Sequence, residues 1–317
     1  MIAGVDIGGT KTEFLVLDGD RKLAKALPTA DWRARVNPER DTVALIGALH
    51  GLIGDRSPAV LVVGSHGCDT DAECCALQQR LAARLTGTVL VVNDAELLLA
   101  ASGRETGISV VAGTGSIAVA RGRDRRMIAA GGWGWYLGDE GSASGLVREA
   151  ARAVRGAVDE GKPLDTLGRA LLEAVNIENP VELGRRLGER GSAAAIGSLA
   201  PLVFEAAERG SSLALEVIAN GGRALATLTR RVLERGAPGR DVVTGGGVIT
   251  RQPRLLEAFR AALAAAAPQL ALHLLDQPPV KGAVVLALRL RAGDRPAYLP
   301  LPHVGGRPVS EAEWAAA

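Results

Sequence analysis

Residues 2–7 form an apolar run broken only by Asp6, Gly8-Gly9 makes a turn, and the β-rich residues 12–17 return before Asp18-Gly19-Asp20. Two β-strands joined by a tight turn account for this pattern, and a third strand over 23–27 extends the hairpin. From 38 to 54 the apolar positions recur with helical period. An apolar run at 59–64 then predicts a buried strand, 71–85 a helix, and 88–92 another strand. The order β-β-β-α-β-α-β mixes a hairpin with parallel crossovers, which a plain dinucleotide-binding fold does not do.

The opening theme returns one domain later. Residues 108–112 are apolar, Gly113-Thr114-Gly115-Ser116 makes a turn, and 117–120 lead back toward Gly122. Strand, glycine turn and strand thus occur twice, which suggests two related halves facing each other across a cleft. Residues 142–236 are rich in Ala, Leu and Arg and read as helices. A strand at 242–244 runs into Gly245-Gly246-Gly247, and helices at 253–266 and 281–292 flank a strand at 270–275. The expected division is an α/β pair of domains, 1–104 and 105–293, followed by an extended surface tail over 294–317. A role for that tail as an active-site flap is the lesser alternative.

Composition narrows the function. A chain of 317 residues is long enough for two cores. Hydrophobic content of 47% and charged content of 23% are those of a globular protein. A net charge of +2 leaves no field strong enough to hold nucleic acid or an anionic membrane. No apolar run approaches the ~20 residues of a membrane-spanning helix. Strand one starts at Ile2 with no secretory leader before it, so a cytoplasmic location is expected. Three cysteines, Cys68, Cys74 and Cys75, make neither a disulfide framework nor a zinc pattern. Cys74 and Cys75 are expected to be buried thiols.

The chemistry concentrates at strand ends. Asp6-Ile7-Gly8-Gly9-Thr10-Lys11-Thr12 joins a carboxylate to a glycine turn whose N–H groups can point at phosphate, with Thr10, Lys11 and Thr12 adding hydrogen bonds and charge. Asp6 is placed to hold the water shell of Mg²⁺. The alternative is a plain hairpin turn with an exposed Asp. Gly113-Thr114-Gly115-Ser116 repeats the pattern without an acid, as turn or phosphate site. Gly245-Gly246-Gly247 lets a flat purine or ribose lie against the main chain. Asn93-Asp94 closes strand 88–92, where ligands bind in open α/β sheets. Asp94 there is either a base that takes a proton from a hydroxyl attacking phosphorus or, with Asn93, a helix cap. Ser65-His66-Gly67-Cys68 closes a neighbouring strand, with His66 either structural or facing a ligand. In Gly131–Ser142, aromatic residues crowd among glycines in a chain that is only 3% aromatic. This loop reads as a sugar-contacting surface, with Gly132, Trp133, Asp139 and Glu140 as candidates, or as a helix N-terminus complemented by its two acids.

The stretches VDIGGTKTEFLVLD, VVNDAELLLA, VAGTGSIA, GGWGWYLGDEGSA, VVTGGGVI and PPVKGAVVLAL, in this order from residue 5 to about 290, resemble the BadF/BadG/BcrA/BcrD ATPase family. Within it they are most similar to the N-acetylglucosamine and glucosamine kinases. The resemblance implies an actin-like (ribonuclease H-like) fold of two domains closing on ATP, Mg²⁺ and sugar. It implies Asp94 as the base for the sugar 6-hydroxyl. Residues 6–12 and 113–116 would hold the phosphates and 245–247 the adenosine, while Asn93, Gly132, Trp133 and Asp139 would face the sugar. An iron–sulfur activator of the same family would need a cysteine just before the second glycine turn, where Val110 to Ala112 stand. A sugar-responsive repressor would need a DNA-binding segment, and the cysteine-rich zinc segment of ROK kinases is missing. Glucosamine carries an ammonium that Asp139, Glu140 or Asp94 can pair with. Ser65-His66-Gly67-Cys68 also replaces the small-residue turn expected beside an acetyl group. Glucosamine is therefore the expected substrate and N-acetylglucosamine the alternative. The sugar is the expected partner, with a homodimer left open.

Overall fold

The run that opens the chain is apolar on both sides up to Asp6 because both faces of its strand are covered. In the computed structural model, which describes residues 1–294 and 296–316, β1 (Ile2–Ile7) sits inside a seven-stranded sheet. Its antiparallel neighbour is β2 (Lys11–Asp18), with β3 (Arg21–Pro28) beyond. On its other side lie β4 (Val60–Ser65) and β5 (Thr88–Val92), both parallel to it. Ala3, Val5, Leu61, Val63, Val89 and Val91 point to one face, onto Leu45, Leu49, Leu77 and Leu81 of helices Pro38–Ile53 and Asp71–Ala82. Ile2, Val60, Val62, Leu90 and Val92 point to the other, onto helices Leu97–Ala101 and Val280–Arg291. Strands buried on both faces read as continuous apolar runs rather than alternating ones.

Helix Val280–Arg291 was expected with the second half, yet its Ala283, Val284 and Ala287 pack on the first sheet. Gly282 permits this. A Cβ there would lie 2.1 Å from the Leu97 carbonyl oxygen, so a side chain would force the two helices apart.

The second sheet repeats the first. β6 (Ile108–Ala112), β7 (Ser116–Arg121) and β8 (Met127–Gly131) form the antiparallel meander, and β9 (Asp241–Gly245) and β10 (Ala271–Leu274) the parallel extension. The order β10-β9-β6-β7-β8 matches β5-β4-β1-β2-β3 strand for strand and direction for direction. The duplication inferred from two glycine turns is therefore a duplication of whole sheets. Between β8 and β9 the Ala/Leu-rich stretch forms the expected helices, of which Ala143–Asp159 and Ser212–Glu234 share a core with Val110, Ala118 and Ala120.

The C-terminal stretch is not a free extended tail. β11 (His303–Val304) pairs antiparallel with β5, β12 (Arg307–Pro308) pairs with β11, and a helix follows at Glu311–Ala316. Gln78 donates to the Leu301 carbonyl at 3.0 Å and bonds His303 Nδ1 at 2.6 Å. These residues cover the β5 edge, which would otherwise present unpaired backbone groups, rather than forming a flap over the strand ends. Cys74 is buried as expected, whereas Cys75 is exposed on the outer side of its helix. Among the described residues no helix is long and apolar enough to cross a membrane.

Candidate active site

The duplicated sheets bring the carboxyl ends of β1, β4 and β5 opposite those of β6 and β9. Gly132, just past β8, faces the first sheet closely: a Cβ there would lie 3.9 Å from Asp69 Cγ.

The first glycine turn is closed by Gly8 N–H donating to the Lys11 carbonyl at 2.9 Å, and it leaves Gly9, Thr10 and Lys11 exposed. Lys11 Nζ pairs with Glu13 at 3.0 Å. Thr12 departs from expectation. It is fully buried, its hydroxyl bonds Thr29 Oγ1 at 2.9 Å, and it accepts from Trp32 Nε1 at 3.1 Å. Thr29 in turn donates to the Gly8 carbonyl. Thr12 pins the turn from beneath and has no hydroxyl left for a phosphate.

The second turn has a similar division. Gly113 N–H donates to the Gly115 carbonyl at 3.0 Å. Ser116 is committed on both sides: its N–H donates to Asp139 Oδ1 at 3.0 Å and its hydroxyl to the Glu140 carbonyl at 2.8 Å. Beside this turn lies the triple glycine. Gly246 has φ 111°, and a Cβ there would lie 2.7 Å from the Ala112 carbonyl carbon. Only glycine holds that backbone and permits that approach. The two glycine segments therefore make one wall, with the Gly247 amide nitrogen 3.6 Å from where a Cβ of Gly113 would sit.

Across from this wall, Asn93 is fully buried and fully used. Its Oδ1 accepts from Ala95 N–H at 3.0 Å, and its Nδ2 donates to the Cys68 carbonyl at 3.0 Å and to Asp69 Oδ1 at 2.9 Å. The cap reading is right for Asn93. It braces Asp69 rather than facing a sugar. Asp94 follows immediately, and its carboxyl is pushed up to about 7 by desolvation and by the Asp69 charge, against the pull of backbone N–H groups. Asp6 is raised too, by burial and then by repulsion from Asp94 and Glu13.

The turn after β4 also sorts itself. His66 N–H donates to the Ile7 carbonyl at 2.7 Å, and its ring packs on Gly9, 3.5 Å from the Cβ position. Burial and the nearby Arg35 and Arg33 charges lower its pKa to about 4, so it is neutral at pH 7 and no proton donor. The Ser65 and Cys68 side chains are buried, Cys68 among the leucines of the first core. Of the four expected contacts, His66 and Gly67 line the opening.

In the glycine-aromatic loop, Asp139 stands at the cleft with φ 61°, tied to Ser116, and its charge is felt by Asp69. Trp133 is 74% exposed at the rim, and Trp135 packs on the second core instead. Glu140 turns away: its carboxylate lies 4.0 Å from Arg148 Nη2, over a cavity between helices Ala143–Asp159 and Ser212–Glu234.

Sequence reasoning missed Asp69, Arg33 and Arg35. Asp69 is signalled only by its place four residues past β4, in the loop beside the one that carries Asp94. Arg33 Nη1 donates to the His66 carbonyl at 2.6 Å, which brings the loop after β3 into the site. Nothing local to these two arginines announces that approach.

Comparison with known proteins agrees with this geometry. The model of the BadF/BadG/BcrA/BcrD ATPase family matches residues 3–287, and the chain belongs to that family. It is 26% identical to the N-acetylmuramic acid/N-acetylglucosamine kinase of Clostridium acetobutylicum, over 90% of this chain and 97% of that one. It is 24% identical to the N-acetyl-D-glucosamine kinase of Dictyostelium discoideum, over 77% and 84%. Among solved structures, a candidate N-acetylglucosamine kinase from Chromobacterium violaceum superposes with TM-score 0.67 at 25% identity, covering 90% of this chain and 98% of that one. A ROK family glucokinase from Streptomyces griseus, in complex with glucose and AMPPNP, shares the actin-like fold with TM-score 0.57 at 20% identity, covering 92% and 99%.

Proposed function

We propose that this member of the BadF/BadG/BcrA/BcrD ATPase family transfers the terminal phosphoryl group of ATP to the 6-hydroxyl of N-acetylglucosamine or a close N-acylated relative. The observation that carries the reading is Asp94: a carboxylate at the end of β5, facing a cleft walled by two glycine turns, with its pKa drawn up to about 7. A base is most effective when its pKa lies near the working pH. Asp94 accepts the proton of the sugar hydroxyl as that oxygen attacks phosphorus, and the bond to the ADP oxygen breaks on the opposite side.

The remaining work is positioning. The N–H groups of the exposed residues Gly9 to Lys11 and those of Thr114 and Gly115 cradle the phosphates, with Gly113 closing the second turn through its bond to the Gly115 carbonyl, and Gly245 to Gly247 lie against the adenosine. Asp69, Gly132 and Trp133 border the sugar, and Asp139 holds the second turn in shape. Asp6 is repelled by both Asp94 and Glu13. Among the described residues no cluster of three acidic, His or Cys groups could ligate a metal directly. One carboxylate with excess local negative charge fits Mg²⁺ held through water and phosphate oxygens, and Asp6 is that residue. The ion supplies charge neutralisation on the phosphates. Closure of the halves would exclude water and limit idle ATP hydrolysis.

An N-acetylated substrate is favoured over glucosamine. Of the carboxylates expected to pair with an ammonium, Glu140 faces Arg148 and Asp139 accepts from Ser116. Asp94 is needed as the base. Two arginines also stand at the opening, which disfavours a cationic sugar. A coupled ADP-release assay across N-acetylglucosamine, glucosamine, mannosamine and glucose tests this, with the highest kcat/KM expected for N-acetylglucosamine. A higher value for glucosamine overturns the choice of sugar, and no turnover with any hexosamine overturns the activity.

A further inference from the structure

We propose that Arg33 and Arg35 form an anion subsite beside the sugar pocket that takes the carboxylate of an acidic N-acyl hexosamine, one carrying a carboxyalkyl group as an ether on a sugar hydroxyl. The proposal rests on the hexosamine-kinase reading above and adds what the substrate bears.

The segment Arg33-Ala34-Arg35 is clamped at both ends. Before it, Trp32 Nε1 donates to Thr12 Oγ1, and Thr29 N–H donates to the Thr10 carbonyl at 2.9 Å. After it, Asn37 caps the following helix. In the middle, the Asp41 carboxylate accepts Ala34 N–H at 3.0 Å and Arg35 N–H at 2.9 Å. Arg35 is held at φ 60°, a conformation that non-glycine residues rarely adopt. The result is convergence. Arg35 Nη1 lies 3.9 Å and Arg33 Nη2 4.0 Å from the spot where a Cβ of Gly67 would be.

Neither guanidinium has a carboxylate within ion-pair distance among the described residues. Arg33 is half-buried, and the one hydrogen bond its guanidinium makes among the described residues goes to a neutral carbonyl. Holding two like charges together, one of them partly desolvated, opposes folding and is relieved by an anion between them. Paired guanidinium forks suit a planar carboxylate.

The anion belongs to the sugar rather than to ATP by position. The guanidiniums sit on Gly67, one residue beyond His66, whose ring covers Gly9 of the phosphate turn. Their charges reach Asp69 and Asp94, the acids of the sugar end.

N-acetylglucosamine and N-acetylmuramic acid differ by one lactyl ether and so isolate the carboxylate. The wild-type enzyme is expected to phosphorylate both. In Arg35→Gln, and more so in Arg33→Gln/Arg35→Gln, the ratio of kcat/KM for the acid over the neutral sugar is expected to fall about 10- to 100-fold, as for loss of charge-assisted hydrogen bonds. Thermal melting confirms that the variants fold. A ratio unchanged within about twofold overturns the subsite, as does wild-type enzyme that accepts only the neutral sugar. A rise in KM for ATP with both sugars assigns the arginines to phosphate instead. Absence of turnover with any hexosamine would sink the kinase reading separately. Calorimetric titration of N-acetylmuramic acid into wild type and Arg35→Gln then still reads the subsite, and equal or absent binding overturns it.

Discussion

The guanidinium of Arg121, on β7 of the second sheet, closes on the carboxylate of Glu96, just past β5 of the first. Nε bonds Oε2 at 2.6 Å and Nη2 bonds Oε1 at 2.9 Å. Both side chains are buried, and Arg121 Nη1 also holds Asp71 and the Arg125 carbonyl. Glu96 Oε1 in addition accepts Asn93 N–H at 3.0 Å, so the bond that joins the two sheets also fixes the turn carrying Asp94.

Glu96→Gln should therefore destabilise the protein by about 3–5 kcal/mol, the range for breaking one partner of a buried ion pair. The midpoint of urea unfolding at pH 7 measures it. A loss below about 1 kcal/mol would show that the pair does not bind the halves together.

Asp94→Asn is expected to lower kcat by about 10²–10⁴-fold, the usual contribution of a positioned base, while ATP and sugar still bind. ADP release reports the rate, and calorimetry reports the binding. Near-normal turnover removes Asp94 from the role.

The pH profile follows from the same carboxyl. With Asp94 raised to about 7, kcat/KM should fall tenfold per pH unit below about 7 and level off above it. His66, neutral down to about 4, adds no ionisation in that range.

Stability should show the opposite sign. A carboxyl whose folded pKa is raised costs nothing at low pH and opposes folding increasingly as pH climbs from its ordinary value through about 7. At about 1.4 kcal/mol per pKa unit the full penalty is on the order of 4 kcal/mol. Relative to wild type, Asp94→Asn should gain Tm between pH 5 and 8 and gain little near pH 4. A difference in Tm that does not vary with pH would contradict a raised Asp94.

Thr12→Val should cost about 1–3 kcal/mol of stability, since it strands buried partners at Thr29 and Trp32. KM for ATP should change little at 25 °C. A tenfold rise in that KM at unchanged stability would return Thr12 to the phosphates.

Much of this architecture can be read along the chain because its signals are local. Runs such as 2–5, 60–63 and 89–92 are apolar on both parities, so they mark strands covered on both faces wherever those covers come from. Glycine turns after such runs mark places where backbone approaches something closely, and an acid at a strand end, Asp6 or Asp94, marks chemistry.

Other features carry no such mark. Met127–Gly131 has too little β-branched character to announce a strand, and becomes one by pairing with Ser116–Arg121. His303–Val304 is too short to show any period and is a strand because the edge of β5 is open beside it.

Residue type fixes what a side chain is able to bond, and for Thr12, Ser116 and Asn93 that much was legible. Whether the bond goes to a ligand depends on groups distant in sequence: Thr29 and Trp32 for Thr12, Asp139 and the Glu140 carbonyl for Ser116, Cys68 and Asp69 for Asn93. Folding consumed all three. Arg33 and Arg35 went the other way, because Thr29 and Asp41 take their backbone N–H groups and no carboxylate among the described residues comes within ion-pair distance of their guanidiniums. Periodicity and turn chemistry act over a few residues and belong to the chain itself. Which polar groups remain free is settled only when remote segments meet, since a buried donor or acceptor takes the nearest partner that packing supplies.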